Sequence, residues 1–139
     1  MRRIQKRKGL LFSAMILLLS GCGGADTFIS FGGKEGGQPV FCISAKPNCA
    51  APGAPLRAFQ VDQVDADGQR VRVMWRVEAP PGWGGRGQVA SVTYGATPPE
   101  WAIVSAPLQL SVGQRYRVND RSYFSVTNNG LIMVENTVK

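Results

Sequence analysis

Arg57 to Glu78, RAFQVDQVDADGQRVRVMWRVE, decides the fold. Phe59 and Val61 precede Asp65-Ala66-Asp67-Gly68, and Val71, Val73, Trp75 and Val77 follow it, so apolar residues recur at a period of two on both sides of a turn sequence. That is the signature of two antiparallel strands joined by a tight hairpin. If Ala66-Asp67-Gly68 is a three-residue loop with Gly68 in the left-handed position, Phe59, Val61 and Gln63 face Trp75, Val73 and Val71. The opposite face then pairs Asp62 with Arg72 and carries Arg70, Met74 and Arg76. A two-residue loop would set Val61 against Arg72 and mix the faces, so the alternation selects the longer loop.

The pattern continues outward. Asn128-Asn129-Gly130 as a loop sets Phe124 and Val126 against Val134 and Ile132, and Asn119-Asp120-Arg121 turns Arg115 to Val118 back onto Ser122 to Val126. Further strands are expected over Gln88 to Tyr94 and around Ile103 to Leu110, with a break at Pro107. No apolar run with a period of 3.6 residues is long enough for a helix. About seven short strands in one domain predict an all-β fold, a small antiparallel sandwich or partly open barrel.

The N-terminus carries a different message. Arg2, Arg3, Lys6, Arg7 and Lys8 precede the ten mostly apolar residues Leu10 to Leu19, and Leu19-Ser20-Gly21-Cys22 closes the segment. Ten residues fall short of the roughly twenty that a spanning helix needs, and the three-part pattern is that of a secretory leader. Leu19-Ser20-Gly21-Cys22 resembles the processing site of bacterial lipoproteins. The resemblance implies cleavage before Cys22, lipidation of its thiol, and attachment to the membrane through that lipid. Several acyl chains, at about 0.8 kcal/mol per buried methylene, would anchor the chain stably without a spanning helix. Gly23 after the cysteine implies sorting to the periplasmic face of the outer membrane. The expected organisation is therefore a signal segment over residues 1–21, a glycine-rich tether over 22–37 with Phe28-Ile29-Ser30-Phe31 as a short strand inside it, and a single β domain over 38–139.

Composition argues by exclusion. The net charge of +7 suggests nucleic acid at first sight, yet five of the sixteen basic residues lie in the leader, leaving eleven against nine acids. No basic run remains that could track phosphates, so no nucleic-acid partner is expected. The chain has no histidine, which removes Ser-His-Asp and Cys-His catalysis and the usual histidine-ligated metal sites. The three lysines after the leader, Lys34, Lys46 and Lys139, sit in the tether, a short loop and the terminus, poorly placed to assist a serine nucleophile. Asp62, Asp65 and Asp67 read as turn and ion-pair chemistry rather than as paired catalytic carboxylates. Gly82 to Gly87 lacks the Lys-Ser/Thr of a phosphate loop. A non-enzymatic chain without metal or cofactor is the expectation.

Cys42 and Cys49 remain after Cys22 is assigned to lipid. Six residues rich in turn formers separate them, and an oxidising envelope favours a disulfide. The alternatives are a buried free thiol at Cys42, within the apolar run Val40 to Ile43, and a metal site, although the spacing matches no zinc pattern.

Candidate contact residues cluster in two loops. Pro80-Pro81-Gly82-Trp83-Gly84-Gly85-Arg86 offers Trp83 and Arg86 on a glycine-rich loop, and tryptophan is enriched in binding hot spots. The competing reading folds Trp83 back as a cap on the open end of the core. Trp101, in Thr97-Pro98-Pro99-Glu100-Trp101, carries the same two readings. Arg70, Arg72 and Arg76 form either a solvated strand face or a docking patch for an acidic partner, with Arg72 at its centre.

Within the C-terminal half, Val92-Thr93-Tyr94-Gly95, Pro98-Pro99-Glu100-Trp101, Ala106-Pro107-Leu108 and Val112-Gly113-Gln114-Arg115-Tyr116-Arg117-Val118 resemble a pattern in small lipoproteins identified as periplasmic immunity proteins of type VI secretion systems. The resemblance implies a protective binder that captures a secreted effector and blocks it, with no catalytic residues of its own. The alternative is a structural or accessory envelope lipoprotein whose partners are other envelope proteins.

Overall fold

Alternating apolar residues give this chain strands throughout. The computed structural model describes residues 27–83 and 88–135 and contains eleven of them: β1 Phe28–Glu35, β2 Gln38–Ser44, β3 Ala54–Pro55, β4 Ala58–Val64, β5 Arg70–Glu78, β6 Gln88–Val89, β7 Ser91–Thr93, β8 Ala102–Ser105, β9 Arg115–Val118, β10 Ser122–Val126 and β11 Ile132–Glu135. Six form one antiparallel sheet in the order β11-β10-β9-β4-β5-β8, three form a second in the order β1-β2-β7, and β3 pairs with β6. The two larger sheets pack as an open sandwich. Among the described residues no helix is long and apolar enough to cross a membrane.

Aromatic rings hold the layers together. Phe41 of the smaller sheet lies 5.4 Å, ring to ring, from both Phe59 and Phe124 of the larger one. Phe59 continues to Trp75 and Trp75 to Tyr94, both edge to face. Ile43, Phe59, Val61, Trp75, Val77 and Val118 are fully buried in the same cluster. Burying a large apolar side chain contributes about 1.5–3 kcal/mol, so this inter-sheet cluster is the main source of stability.

The β4–β5 hairpin forms around the expected turn. The Gly68 amide donates to the Asp65 carbonyl at 3.0 Å, and Gly68 takes a φ of +78° that favours glycine. The Asp65 carboxylate also accepts from the amides of Asp67 and Gln69. Beyond the turn the register departs from the expectation. Phe59 opposes Val77 rather than Trp75, Val61 opposes Trp75 rather than Val73, and Gln63 opposes Arg72 rather than Val71. Two bulges shift the pairing, between Val61 and Asp62 and between Gln63 and Val64. Each leaves one β5 residue, Met74 and Val71, without an opposite number, so an ideal two-residue alternation extrapolated from the turn fails after the first irregularity.

The C-terminal meander follows the expected register: Phe124 faces Val134 on one side and Tyr116 on the other, and Val126 faces Ile132. The expected strand over Gln88 to Tyr94 is divided at Ala90, β6 joining β3 and β7 joining β2. The tether expected over residues 22–37 is corrected in its second half. All of β1 pairs with β2, from Phe28 against Ser44 to Glu35 against Gln38, with a bulge at the glycines. Gly36 and Gly37, at φ +55° and +80°, make the two-residue hairpin turn. The glycines that suggested a linker are the bulge and turn of a hairpin, and the described domain begins before Gln38.

Cys42 and Cys49 are joined as a disulfide, Cα to Cα 5.9 Å. It closes a loop containing the 3-10 turn Pro47–Cys49. The buried Ser44 hydroxyl secures the same loop, donating to the Ala51 carbonyl at 2.9 Å and accepting from the amides of Lys46 and Ala51.

Candidate functional site

Two Pro-Pro-X-Trp turns build the most distinctive surface of the molecule. In Pro80-Pro81-Gly82-Trp83 the Trp83 amide donates to the Pro80 carbonyl at 3.1 Å, with Gly82 at φ +81°. In Pro98-Pro99-Glu100-Trp101 the Trp101 amide donates to the Pro98 carbonyl at 3.1 Å, with Glu100 at φ +70°. Proline at the second position and a positive φ at the third are the marks of a type II turn. The same local solution is thus used twice, after β5 and before β8, and each turn delivers an indole.

The two indoles meet. Trp83 and Trp101 stand edge to face with ring centroids 6.5 Å apart, an arrangement favoured by the aromatic quadrupole. Trp101 is buried within the core cluster and Trp83 is half-buried. The Nε1 atoms of both are buried without a hydrogen-bond partner among the described residues. Together the rings wall a cleft of about 500 Å³, bounded elsewhere by Ser91 and Thr93 of β7, by the 96–100 loop and by Gln88. A second cleft of about 720 Å³ adjoins it, sharing Thr93 and Ala96, and runs to Glu35, Tyr94 and Leu108.

Tyr94 fixes the floor between them. Its hydroxyl donates to the Leu108 carbonyl at 2.7 Å, with the Met74 carbonyl 3.2 Å away. Burial, reinforced by the neighbouring Tyr116, pushes its phenol above the ordinary tyrosine value. It is a structural tether between β7 and the segment that follows β8.

The candidate residues read from the sequence do not all gather here. Trp83 and Trp101 do. Arg72 does not: six residues before the end of β5, it lies about 20 Å along the strand from Glu78, exposed, with its Nε donating to Gln63 Oε1 at 2.8 Å. The expected Asp62–Arg72 pair is absent. The bulge at Val71 sets Asp62 against Val73 and Arg72 against Gln63. Cys22 and Arg86 lie outside the described residues.

Asp62 has a different role from the exposed turn residue expected. It is 1% exposed and lies 3.1 Å from Arg70 Nε and 3.6 Å from an Arg117 terminal nitrogen. It also accepts from Gln60 Nε2 at 2.7 Å. Arg117 reaches Asp120 as well, at 3.1 Å, and Arg76 reaches Gln60 and Glu78. This polar layer covers the outer face of the large sheet. No group of three cysteines or carboxylates suited to holding a metal occurs among the described residues.

The sheet edges differ in character from that layer. Ile103 and Val104 on β8 are more than half exposed, as are Leu131 and Met133 at β11, so both edges of the six-stranded sheet carry apolar side chains.

No protein-family model, curated protein or solved structure matches this chain.

Proposed function

We propose that this chain is a lipid-anchored envelope protein, held at the periplasmic face of the outer membrane through Cys22, whose β domain is a non-catalytic protein-binding module that neutralises a secreted effector. The observation that carries the binding role is the convergence of Trp83 and Trp101, from two matching turns, on a cleft beside a strand edge. Tryptophan supplies large contact area at little cost in side-chain entropy and dominates many interfaces. The anchor and the effector partner rest on the lipobox and the resemblance of the C-terminal half to periplasmic immunity lipoproteins.

The test is affinity capture by the detergent-solubilised chain from lysates of related and competing bacteria, followed by co-expression. One secreted partner retained at equimolar amount, toxic in the periplasm and rendered harmless by this chain, is the expected result. A partner that is not toxic, or whose toxicity persists in the presence of the chain, would sink the immunity role.

The second reading, a structural or accessory envelope lipoprotein, draws on the apolar edges of the six-stranded sheet. Ile103 and Val104 at one edge and Leu131 and Met133 at the other suit edge-to-edge assembly. Recovery of envelope machinery in the capture experiment, with detergent sensitivity on deletion in the absence of any toxin, would favour it.

A further inference from the structure

Strand β7 ends the three-stranded sheet, and its pairing with β2 decides which of its backbone groups are free. The Tyr94 amide donates to the Pro39 carbonyl at 2.9 Å and the Ile43 amide to the Ala90 carbonyl at 3.0 Å. Phe41 therefore faces Val92 as a hydrogen-bonded pair, and the alternate residues Ser91 and Thr93, opposite Cys42 and Val40, turn their amide and carbonyl groups away from β2. The Thr93 carbonyl is taken by the Ala96 amide at 3.0 Å. The Ser91 amide, the Ser91 carbonyl and the Thr93 amide have no partner among the described residues. They sit two residues, about 7 Å, apart along the edge, which is the repeat at which an added strand hydrogen-bonds.

These groups open into a groove rather than onto a flat surface. Ser91 and Thr93 line the cleft walled by Trp83 and Trp101, and Thr93 lines the adjoining cleft as well, so the two clefts run together along β7. The described lining of the groove is acidic. Glu100 lines the first cleft and Glu35 the second, Glu35 accepting a hydrogen bond from Thr93 Oγ1 at 3.0 Å. No lysine or arginine lines either cleft among the described residues. Two carboxylates flanking a free edge, with no cation among the described residues that line it, complement a segment that carries basic residues.

We propose that this groove receives an extended, basic segment of a protein partner, which adds to the small sheet as a strand on β7. The backbone of the segment pairs with Ser91 and Thr93, an apolar or aromatic side chain lodges against Trp83 and Trp101, and Lys or Arg residues reach Glu100 and Glu35. Backbone pairing supplies affinity and the two indoles and two carboxylates supply selectivity, as in other strand-addition complexes. The proposal rests on the reading of the chain as a protein-binding module and names what that module grips.

The test selects a library of short random peptides, displayed on phage, against the full chain in detergent micelles. Enriched sequences are expected to combine Lys or Arg with β-branched or aromatic residues. Synthetic copies should shift the amide resonances of Ser91 and Thr93 and the indole resonances of Trp83 and Trp101. Glu100→Lys should weaken a selected peptide about tenfold, the order expected for losing one charge-assisted contact. Ser91→Pro, which removes an outward amide and leaves the β2 ladder intact, should do the same. Methylating alternate backbone nitrogens of the peptide gives the same readout without altering the protein. Peptides indifferent to Glu100 and to backbone methylation, or resonance shifts confined to β8 or β11, would overturn the groove assignment while leaving the chain a binding module. Enrichment of no peptide would overturn it too, and the capture experiment judges the broader reading independently. A dimer dissociated by Ser91→Pro would assign the edge to a second copy of this chain and overturn the partner named here.

Discussion

Asp62 holds Arg70 at 3.1 Å from a position that is itself 1% exposed. A carboxylate so placed is stabilising only while its partners stay, because a buried charge left alone carries an uncompensated desolvation cost. Arg70 is half exposed, whereas Arg117 is mostly covered and shared with Asp120. Removing Arg117 should therefore hurt more than removing Arg70, despite its longer distance to Asp62. Arg117→Ala is expected to cost about 3 kcal/mol and Arg70→Ala less than about 1 kcal/mol, measured by urea denaturation. Equal costs would show that the layer works as a single network rather than through its covered member.

Joining Cys42 to Cys49 closes a short loop whose ends are already fixed by β2 and by the Ser44 hydroxyl. Chain-entropy arguments assign a loop of this length about 2.5 kcal/mol. The double variant Cys42→Ser with Cys49→Ser should lose about that much, with a fall in Tm measured by calorimetry. Little change would mean that Ser44 and the 3-10 turn hold the loop without the bond.

Much of this architecture is legible in the sequence, and the exceptions have local causes. Registers fixed by a short turn close at hand, such as Phe124 against Val134 across Asn128-Asn129-Gly130, follow from alternation alone. Phe59 lies farther from its turn than two bulges do, and nothing in the residue types of Met74 or Val71 announces a bulge. Glycines are ambiguous for a related reason: the same composition serves a linker and a bulged hairpin, and only the pairing of β1 with β2 separates them. At the site, Trp83 and Trp101 are visible singly as loop tryptophans. Their convergence had a signal in the repeated Pro-Pro-X-Trp, legible as two copies of one turn, but that they face each other depends on long-range packing. Asp62 was hidden because its burial depends on arginines from two other positions, Arg70 and Arg117.

Tyr94 makes stability depend on alkaline pH. Burial raises its folded-state pKa above the unfolded value of about 10. Above that pH the unfolded chain has released the phenolic proton while the folded chain keeps it, so stability falls as pH rises. The contribution is fully present below about pH 10 and is lost as pH climbs toward the folded-state value. Tyr94→Phe should cost about 1 kcal/mol at neutral pH, through the lost bond to the Leu108 carbonyl. It should also flatten the alkaline slope by up to about 1.4 kcal/mol per pH unit. Denaturation at several pH values with both proteins checks this, and parallel slopes would exclude Tyr94 as the cause.

Glu100 and Gly82 occupy equivalent positions in the two Pro-Pro-X-Trp turns, yet only one is glycine. A left-handed conformation costs a residue with a Cβ about 1–2 kcal/mol, so Glu100 at φ +70° holds strain that Gly82 at φ +81° does not. Exchanging the residue types should move stability in opposite directions. Gly82→Ala, whose added Cβ meets no atom within 4 Å, should cost about 1 kcal/mol through backbone strain alone. Glu100→Gly should gain about 0.5 kcal/mol, since relief of strain is partly offset by the greater unfolded-state freedom of glycine. Glu100→Gln separates backbone from charge: it keeps the strain, so its Tm should match the parent, while its selected basic peptides should bind as weakly as they do to Glu100→Gly. A strained residue persists where its side chain is needed. If Glu100→Gly gained stability and lost no peptide affinity, the carboxylate would have no part in recognition and the strain would have no functional explanation.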